Sequence, residues 1–391
     1  MKFYIQSPKV LLFLICSILI FSSSCSKDTD LFEILSEEEI DETEEVLDSQ
    51  NQEEIADSQG DEEGIQDGGG SEENIDPPND EVTDSTTRGD NQTLNIIFDT
   101  DANNELDDQH ALAYLLSNGD IFNLEALTVN STPTGGGIQN DFDEATRILQ
   151  LYNLQNDITV HLGAQGNYST IRSGFDPNSF DGQAAVNQII ASTKSKECII
   201  VAVGKLTNVA LAILKDPTIV NRTKVIWLGT NYPCADEYNL ESDMAAVNFV
   251  LNSDMPMDIV TVRLSCPQQG SSEVNTTVTE INNVMPGLGP LATTPITGRH
   301  GGSFSRFGDY SVDLFNNIGK ELRSLFDVVA LAILKEPGWG QKEVIPAPLY
   351  ENDSWTERPA NPREVTIWGD FDRNSIMEDF FESIENYTLV E

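Results

Sequence analysis

Leu94-Asn95-Ile96-Ile97-Phe98-Asp99-Thr100-Asp101 is an apolar run of strand length that ends in acids, and Asp107-Asp108 follow six residues after Asp101. Ala111, Leu112, Leu115 and Leu116 then fall on one side of a helical period, with Gly119 behind them, so residues 107–116 read as an amphipathic helix. The alternation continues along the chain. Strand-like runs recur at 124–129, 158–162, 199–203, 225–228 and 259–264, and helix-like runs at 144–152, 184–192, 207–214, 244–251 and 325–334. A strand at 364–368 and a helix at 375–384 close the pattern. Apolar strands alternating with amphipathic helices imply an α/β fold, a Rossmann-like open, mostly parallel sheet with helices on both faces. Residues 265–323 interrupt the rhythm with Gly- and Pro-rich sequence that includes Gly298-Arg299-His300-Gly301-Gly302. We expect there an insertion of loop character that closes over a site at the strand ends.

Upstream of Leu94 the composition changes abruptly. Residues 28–93 hold 25 acids against one base, Arg88, and almost no aromatic side chain. Such a stretch buries too little apolar surface to offset chain entropy, so residues 25–93 are expected to form a disordered, self-repelling tether. The folded domain is then expected over 94–391. The whole chain of 391 residues carries a formal charge of −43, and no basic stripe offers itself to phosphates, which argues against nucleic acid as a partner. Val10 to Phe21 is apolar, too short to span a bilayer, and preceded by Lys2 and Lys9, so residues 1–24 read as a signal peptide. Ser22-Ser23-Ser24-Cys25 resembles a bacterial lipobox, with Cys25 the acylated residue; an ordinary signal peptide containing a cysteine is the bland alternative. Lipidation would place the protein in a bacterial cell envelope, on the outer membrane and facing outward, held to the membrane by the lipid alone. Cys198, Cys234 and Cys266 remain, an odd number without metal-ligand spacing. A Cys234–Cys266 bridge is open, and isolated structural thiols are the expected state.

In an open α/β sheet, ligands sit beyond the carboxyl ends of the strands. The first strand therefore delivers Asp99 and Asp101 to the place where Asp107 and Asp108 open the next helix. Acids at a helix start often do no more than complement its dipole. Four around one strand–helix junction repel one another and raise each other's pKa unless a cation intervenes, and an all-oxygen donor set suits Ca²⁺. A phosphatase of the haloacid dehalogenase type needs Asp-x-Asp followed closely by Thr, where Asn103-Asn104 stand here, and a phosphate-binding Gly-Lys-Ser/Thr loop is absent.

Further motifs follow in order. Gly204-Lys205-Leu206-Thr207-Asn208 opens a helix-like segment, where Thr207 or Asn208 would otherwise read as a plain helix cap. Asn231, Glu237, Asn239 and Asp243 form an Asn-x5-Glu-x-Asn-x3-Asp pattern, whose bland reading is a polar loop capped by Asp243. Asp327 heads the last apolar helix. In type, spacing and order these elements resemble the calcium-dependent nucleoside hydrolase family over 94–384, essentially the whole folded part. The resemblance implies the nucleoside hydrolase fold and a calcium ion held by Asp101, Asp108, Asp327 and the backbone carbonyl of Thr207. It implies Asp101 as general base, with Asp107, Asn231, Glu237 and Asn239 on the sugar of a nucleoside or related glycoside. The sequence also departs from the family. The turn from Ala102 to Leu106 is longer by two residues, the early substrate-contacting Asn is either Asn130 or Asn140, and Phe326 stands where many members have His. Phe326 has no proton to give and is left to stack on a base or pack. Of the three histidines, His110, His161 and His300, only His300 in the glycine-rich insertion is a candidate leaving-group acid. The implied activity is hydrolysis of an N-ribosidic bond. A catalytically silent calcium- and sugar-binding lipoprotein is the alternative, and an oligomeric assembly stays open.

Overall fold

The computed structural model describes residues 93–390. The expected signal peptide, Cys25 and all of the tether but Thr93 lie outside the described residues. Six strands and seven helices alternate first: β1 (Leu94–Thr100), α1 (Asp107–Ser117), β2 (Phe122–Val129), α2 (Ile138–Leu151), β3 (Val160–Leu162), α3 (Tyr168–Ser173), α4 (Gln183–Ser195), β4 (Cys198–Ala202), α5 (Thr207–Lys215), β5 (Thr223–Leu228), α6 (Tyr238–Ser242), α7 (Met244–Leu251) and β6 (Met257–Val260). Residues 265–323, expected to be loop, carry instead β7 (Asn275–Thr277), α8 (Val278–Val284), the hairpin β8 (Ile296–Gly298) and β9 (Gly301–Phe304), α9 (Phe307–Asn317) and β10 (Leu322–Ser324). Glycine and proline there mark turns, but Ile281, Met285, Phe307, Tyr310, Leu314 and Phe315 between them are buried in the core and fold the segment. The chain ends with α10 (Phe326–Lys335), β11 (Gln341–Pro346), the small hairpin β12 (Leu349–Glu351) and β13 (Ser354–Thr356), β14 (Glu364–Gly369) and α11 (Arg373–Glu385).

The main sheet has eight strands in the order β11-β14-β6-β5-β4-β1-β2-β3. All its pairings are parallel apart from β11 against β14. Alternate residues feed two separate cores. Phe98, Val129, Val201, Leu228 and Trp368 point to one, which α1, α2, α9, α10 and α11 cover. Ile97, Ile200, Val225, Trp227 and Ile367 point to the other, beneath α4, α5 and α7. This is why the strands read as continuous apolar runs rather than half-polar ones. The edge strand β11 escaped the sequence reading because Gln341-Lys342-Glu343-Val344 is exposed and mostly polar. Among the described residues no helix is long and apolar enough to cross a membrane.

From β1 the chain builds outward through β2 and β3, then returns to the other side of β1 with β4. The strand order thus reverses between β1 and β4, and in such sheets the crevice at the carboxyl ends beside that reversal is where ligands bind.

Candidate active site at the strand reversal

Asp99 is a strut beneath the crevice. Its carboxylate accepts from the Thr128 hydroxyl at 2.5 Å, Asn208 Nδ2 at 2.7 Å and Asn130 Nδ2 at 3.0 Å. Asn208 also donates to the Val129 carbonyl and accepts from the Ala164 amide, so it ties three strand ends together rather than capping α5. Two residues on, Asp101 is buried above this strut, with Oδ2 held by the Thr132 hydroxyl at 2.5 Å. Gly204, beyond β4, lets the backbone come close: an added Cβ would lie 2.7 Å from Asp101 Oδ1 and 2.8 Å from Asn130 Oδ1. Asn130 therefore sits beside Asp101, and its Oδ1 is buried without a partner, whereas Asn140 is exposed and bonds to the Gly136 carbonyl.

Asp107 and Asp108 occupy the first turn of α1, and Asp327 the first turn of α10. Each offers a carboxylate oxygen within 4.8 Å of the other two, and all three are buried. Asp101 lies outside this trio, although its charge repels every member. Burial raises Asp101 to about 6 and Asp107 to about 7, and it lifts Asp108 and Asp327 well above the carboxylate range. For the latter three, repulsion from neighbouring carboxylates adds to burial. Buried, crowded, oxygen-only donors are what a hard cation fits. Thr207 stands across the crevice at the start of α5, its hydroxyl donating to Asp243 at 2.5 Å.

The 231–243 segment is fixed by its own side chains. Glu237 N-caps α6 by accepting from the Asn239 amide at 3.0 Å and the Leu240 amide at 2.9 Å, and it also takes the Thr230 amide at 2.7 Å. Burial pushes it up to about 7 against these donors. Asn239 Nδ2 bridges the carbonyls of Val203 and Leu228, joining the ends of β4 and β5. Asp243 does cap α7, and it also receives the Tyr168 amide and the Thr207 hydroxyl. Asn231 Oδ1 accepts from the Leu264 amide. The expectation of isolated thiols is corrected here: Cys234 and Cys266 form a disulfide, their Cα atoms 6.1 Å apart, and Cys198 alone is free. The two half-cystines follow β5 and β6, which are paired, so strand-end loops that are 32 residues apart in sequence meet in space.

The lengthened turn is pinned from several sides. Asn103 accepts and donates through Arg299, Asp141 and Gly135, and Asn104 accepts from Thr134, whose hydroxyl meets Tyr238. Glu105 in that turn forms an ion pair with Arg323 of β10. Arg323 escaped the sequence reading, where a lone Arg four residues before Asp327 carried no motif. It is only 9 % exposed, donates to Asp107 Oδ1 at 3.2 Å, and holds its guanidinium 5.0 Å over the Phe326 ring. Phe326 is half-buried. His300, at the tip of the β8–β9 hairpin, pairs with Asp313 of α9 at 3.4 Å and makes no ion pair with the cluster. A cavity of about 580 Å³, lined by Asp254, Asp258, Arg363 and Glu364 among others, lies at the amino ends of β6 and β14, the opposite edge of the sheet.

A mostly parallel sheet covered by helices, with buried carboxylates and amides gathered where its strand order reverses, defines an α/β protein with a polar site at the strand ends. The sequence profile of inosine-uridine preferring nucleoside hydrolases matches residues 96–368, and the chain belongs to that family of N-ribosyl hydrolases. Solved structures agree in fold. A plant nucleoside hydrolase superposes with a TM-score of 0.59 at 16 % identity, over 75 % of this chain and 99 % of its own. The inosine-uridine preferring nucleoside hydrolase of Bacillus anthracis gives 0.55 at 15 % identity, over 75 % and 100 %. The purine-preferring ribonucleoside hydrolase of Gardnerella vaginalis gives 0.54 at 16 %, over 74 % and 98 %.

Proposed function

We propose that the protein hydrolyses the N-glycosidic bond of a ribonucleoside or a closely related glycoside, in a reaction that depends on Ca²⁺. The observation that carries this reading is the convergence of Asp101, Asp107, Asp108 and Asp327 on the crevice that Asn130, Glu237 and Asn239 also flank. Asp108 and Asp327 of the crowded trio, with Asp101 from beside it and the Thr207 carbonyl, would hold the ion and leave Asp107 to the sugar. Bound there, it would offset the crowded negative charge and acidify a water molecule.

Asp101 is the general base. Thr132 fixes its carboxylate, and its burial excludes competing solvent. Ionised, it takes a proton from the attacking water as the oxygen closes on the anomeric carbon, while the C–N bond breaks and its electron pair leaves with the base. Asp107 and the 231–239 segment hold the ribose hydroxyls, each of which needs an acceptor and a donor. The amides and carboxylates there are already locked by the backbone, so little side-chain freedom remains to be lost on binding.

The test is release of free ribose from inosine, uridine and 4-nitrophenyl riboside, with millimolar Ca²⁺ and with chelator. Turnover lost on chelation and regained with Ca²⁺ is expected. No turnover of any of the three with Ca²⁺ would overturn the reading. For the N-terminal segment we propose acylation at Cys25 and a cell-envelope location, tested by palmitate labelling of the full chain against Cys25→Ala.

A further inference from the structure

Lys205, Arg299 and Arg323 carry charge close enough to act on Asp101, Asp108 and Asp327 respectively, and His300 is the next residue after Arg299; all but Arg323 are committed elsewhere. Lys205 Nζ spends its donors on the carbonyls of Gln165 and Gly166 and on Asn167 Oδ1. Arg299 donates to the carbonyls of Asn103 and Glu105, and His300 faces Asp313. Arg323 is different. Its guanidinium is anchored by Asp107 and Glu105, it lies over the face of Phe326, and its Nε is buried with no acceptor at all. A buried N–H without a partner is costly, so an acceptor supplied by a ligand would be welcomed there.

Two of the three partners of Arg323 coincide with the places where the sequence departs from the family it resembles. Glu105 belongs to the lengthened turn, and Phe326 replaces the usual histidine. Taken together, the longer turn brings a carboxylate that holds an arginine against the very ring that cannot donate a proton. The arginine stays cationic at neutral pH and is planar, so it can both stack on Phe326 and direct an N–H edge outward.

We propose that Arg323, seated on Phe326, is the group that stabilises the departing base. This inference rests on the hydrolase reading above. In the step concerned, water oxygen bonds to the anomeric carbon, its proton passes to Asp101, and the C–N electron pair goes to the base. Arg323 transfers no proton: its Nε–H hydrogen-bonds the nitrogen or oxygen on which that charge gathers. The base is protonated afterwards by solvent, and Asp101 returns its proton to solvent. A fixed cation in a water-poor site stabilises such charge without reorganisation.

The experiment compares kcat/KM for inosine and uridine with that for 4-nitrophenyl riboside, whose nitrophenolate leaves without help, in Arg323→Met and Arg323→Lys. We expect a loss of about 10²-fold or more on the nucleosides and under about tenfold on the nitrophenyl substrate, with Lys partly restoring the former. Equal losses on both would mean that Arg323 only positions Asp107 and the turn, and would overturn the proposal. Should Arg323→Met not fold, Phe326→Leu decides by the same ratio, because it removes the stack and keeps both ion pairs. A selective loss on nucleosides supports the proposal and an even loss sinks it. Wild-type protein inert on all three substrates would instead defeat the hydrolase reading, and this inference with it.

Discussion

On the β1 side of the crevice, Asp107, Asp108 and Asp327 crowd within 4.8 Å and are met by little more than Thr100 at Asp108 and Arg323 at Asp107. On the β5 side, Asp243 is just as enclosed and Glu237 partly so, yet each accepts from three donors, most of them at helix starts. Burial raises carboxylates on both sides, to about 7 at Asp107 and at Glu237; what differs is that like charges crowd the first side and backbone donors meet the second. The first group stores repulsion that a bound cation would relieve, and the second ties helix starts into the scaffold around the site.

The largest effect should come from Asp101→Asn, which removes the proposed base and lowers turnover by about 10²–10⁴-fold while circular dichroism stays native. Retention of more than about a tenth of the wild-type rate would take the base role away from Asp101. Next is the ion itself. Ca²⁺ at a hundred times its Kd adds about 2.7 kcal/mol of stability, visible as a higher Tm than in chelator. Buried carboxylates on both sides of the crevice set the pH response of the chelated protein. Their folded pKa values are raised, to about 6 for Asp101 and about 7 for Asp107 and Glu237. Their contribution is thus full below the unfolded pKa near 4 and is lost as pH climbs through 6 to 7. Chelated protein should melt higher at pH 5.5 than at pH 8, and Ca²⁺ should shrink or reverse that difference. A chelated Tm that rises with pH over this window would contradict the crowding.

Two matched substitutions break the comparison directly. In chelator at pH 8, Asp108→Asn should raise Tm, since it keeps an acceptor for Thr100 and removes a repelling charge. Glu237→Gln should lower stability by about 1–3 kcal/mol, because one of its two acceptor oxygens becomes an amide facing a backbone N–H. Shifts of the same sign would mean that the two sides do not differ in this way. The smallest effect is expected of Tyr238→Phe, which loses the hydroxyl that meets the amide and hydroxyl of Thr134. A cost of about 1 kcal/mol in chemical denaturation is anticipated, with the lengthened turn loosened rather than the sheet.

What the sequence determined by itself was whatever is local or periodic. The apolar runs announced the parallel strands because both faces of the sheet are buried, and Asp99-Thr100-Asp101 with Asp107-Asp108 announced a charged strand–helix junction because those residues share one turn of chain. Asp327 and the 231–243 pattern were legible as polar starts of helices, and their order along the chain carried the resemblance. Tertiary structure decided the rest. It set Asn130 on Asp99 beside Asp101 and left Asn140 exposed, since only the former follows a strand beside β1. It joined Cys234 to Cys266 through the pairing of β5 with β6, folded residues 265–323 onto the core, and set His300 against Asp313. It also brought Arg323, on a three-residue strand paired with β7, to the carboxylate of Asp107, 216 residues away in sequence. The physical reason is common to all of these. Each depends on which strand or helix ends are neighbours in the folded sheet, and a contact between chain segments so far apart leaves no period or spacing in the sequence to read.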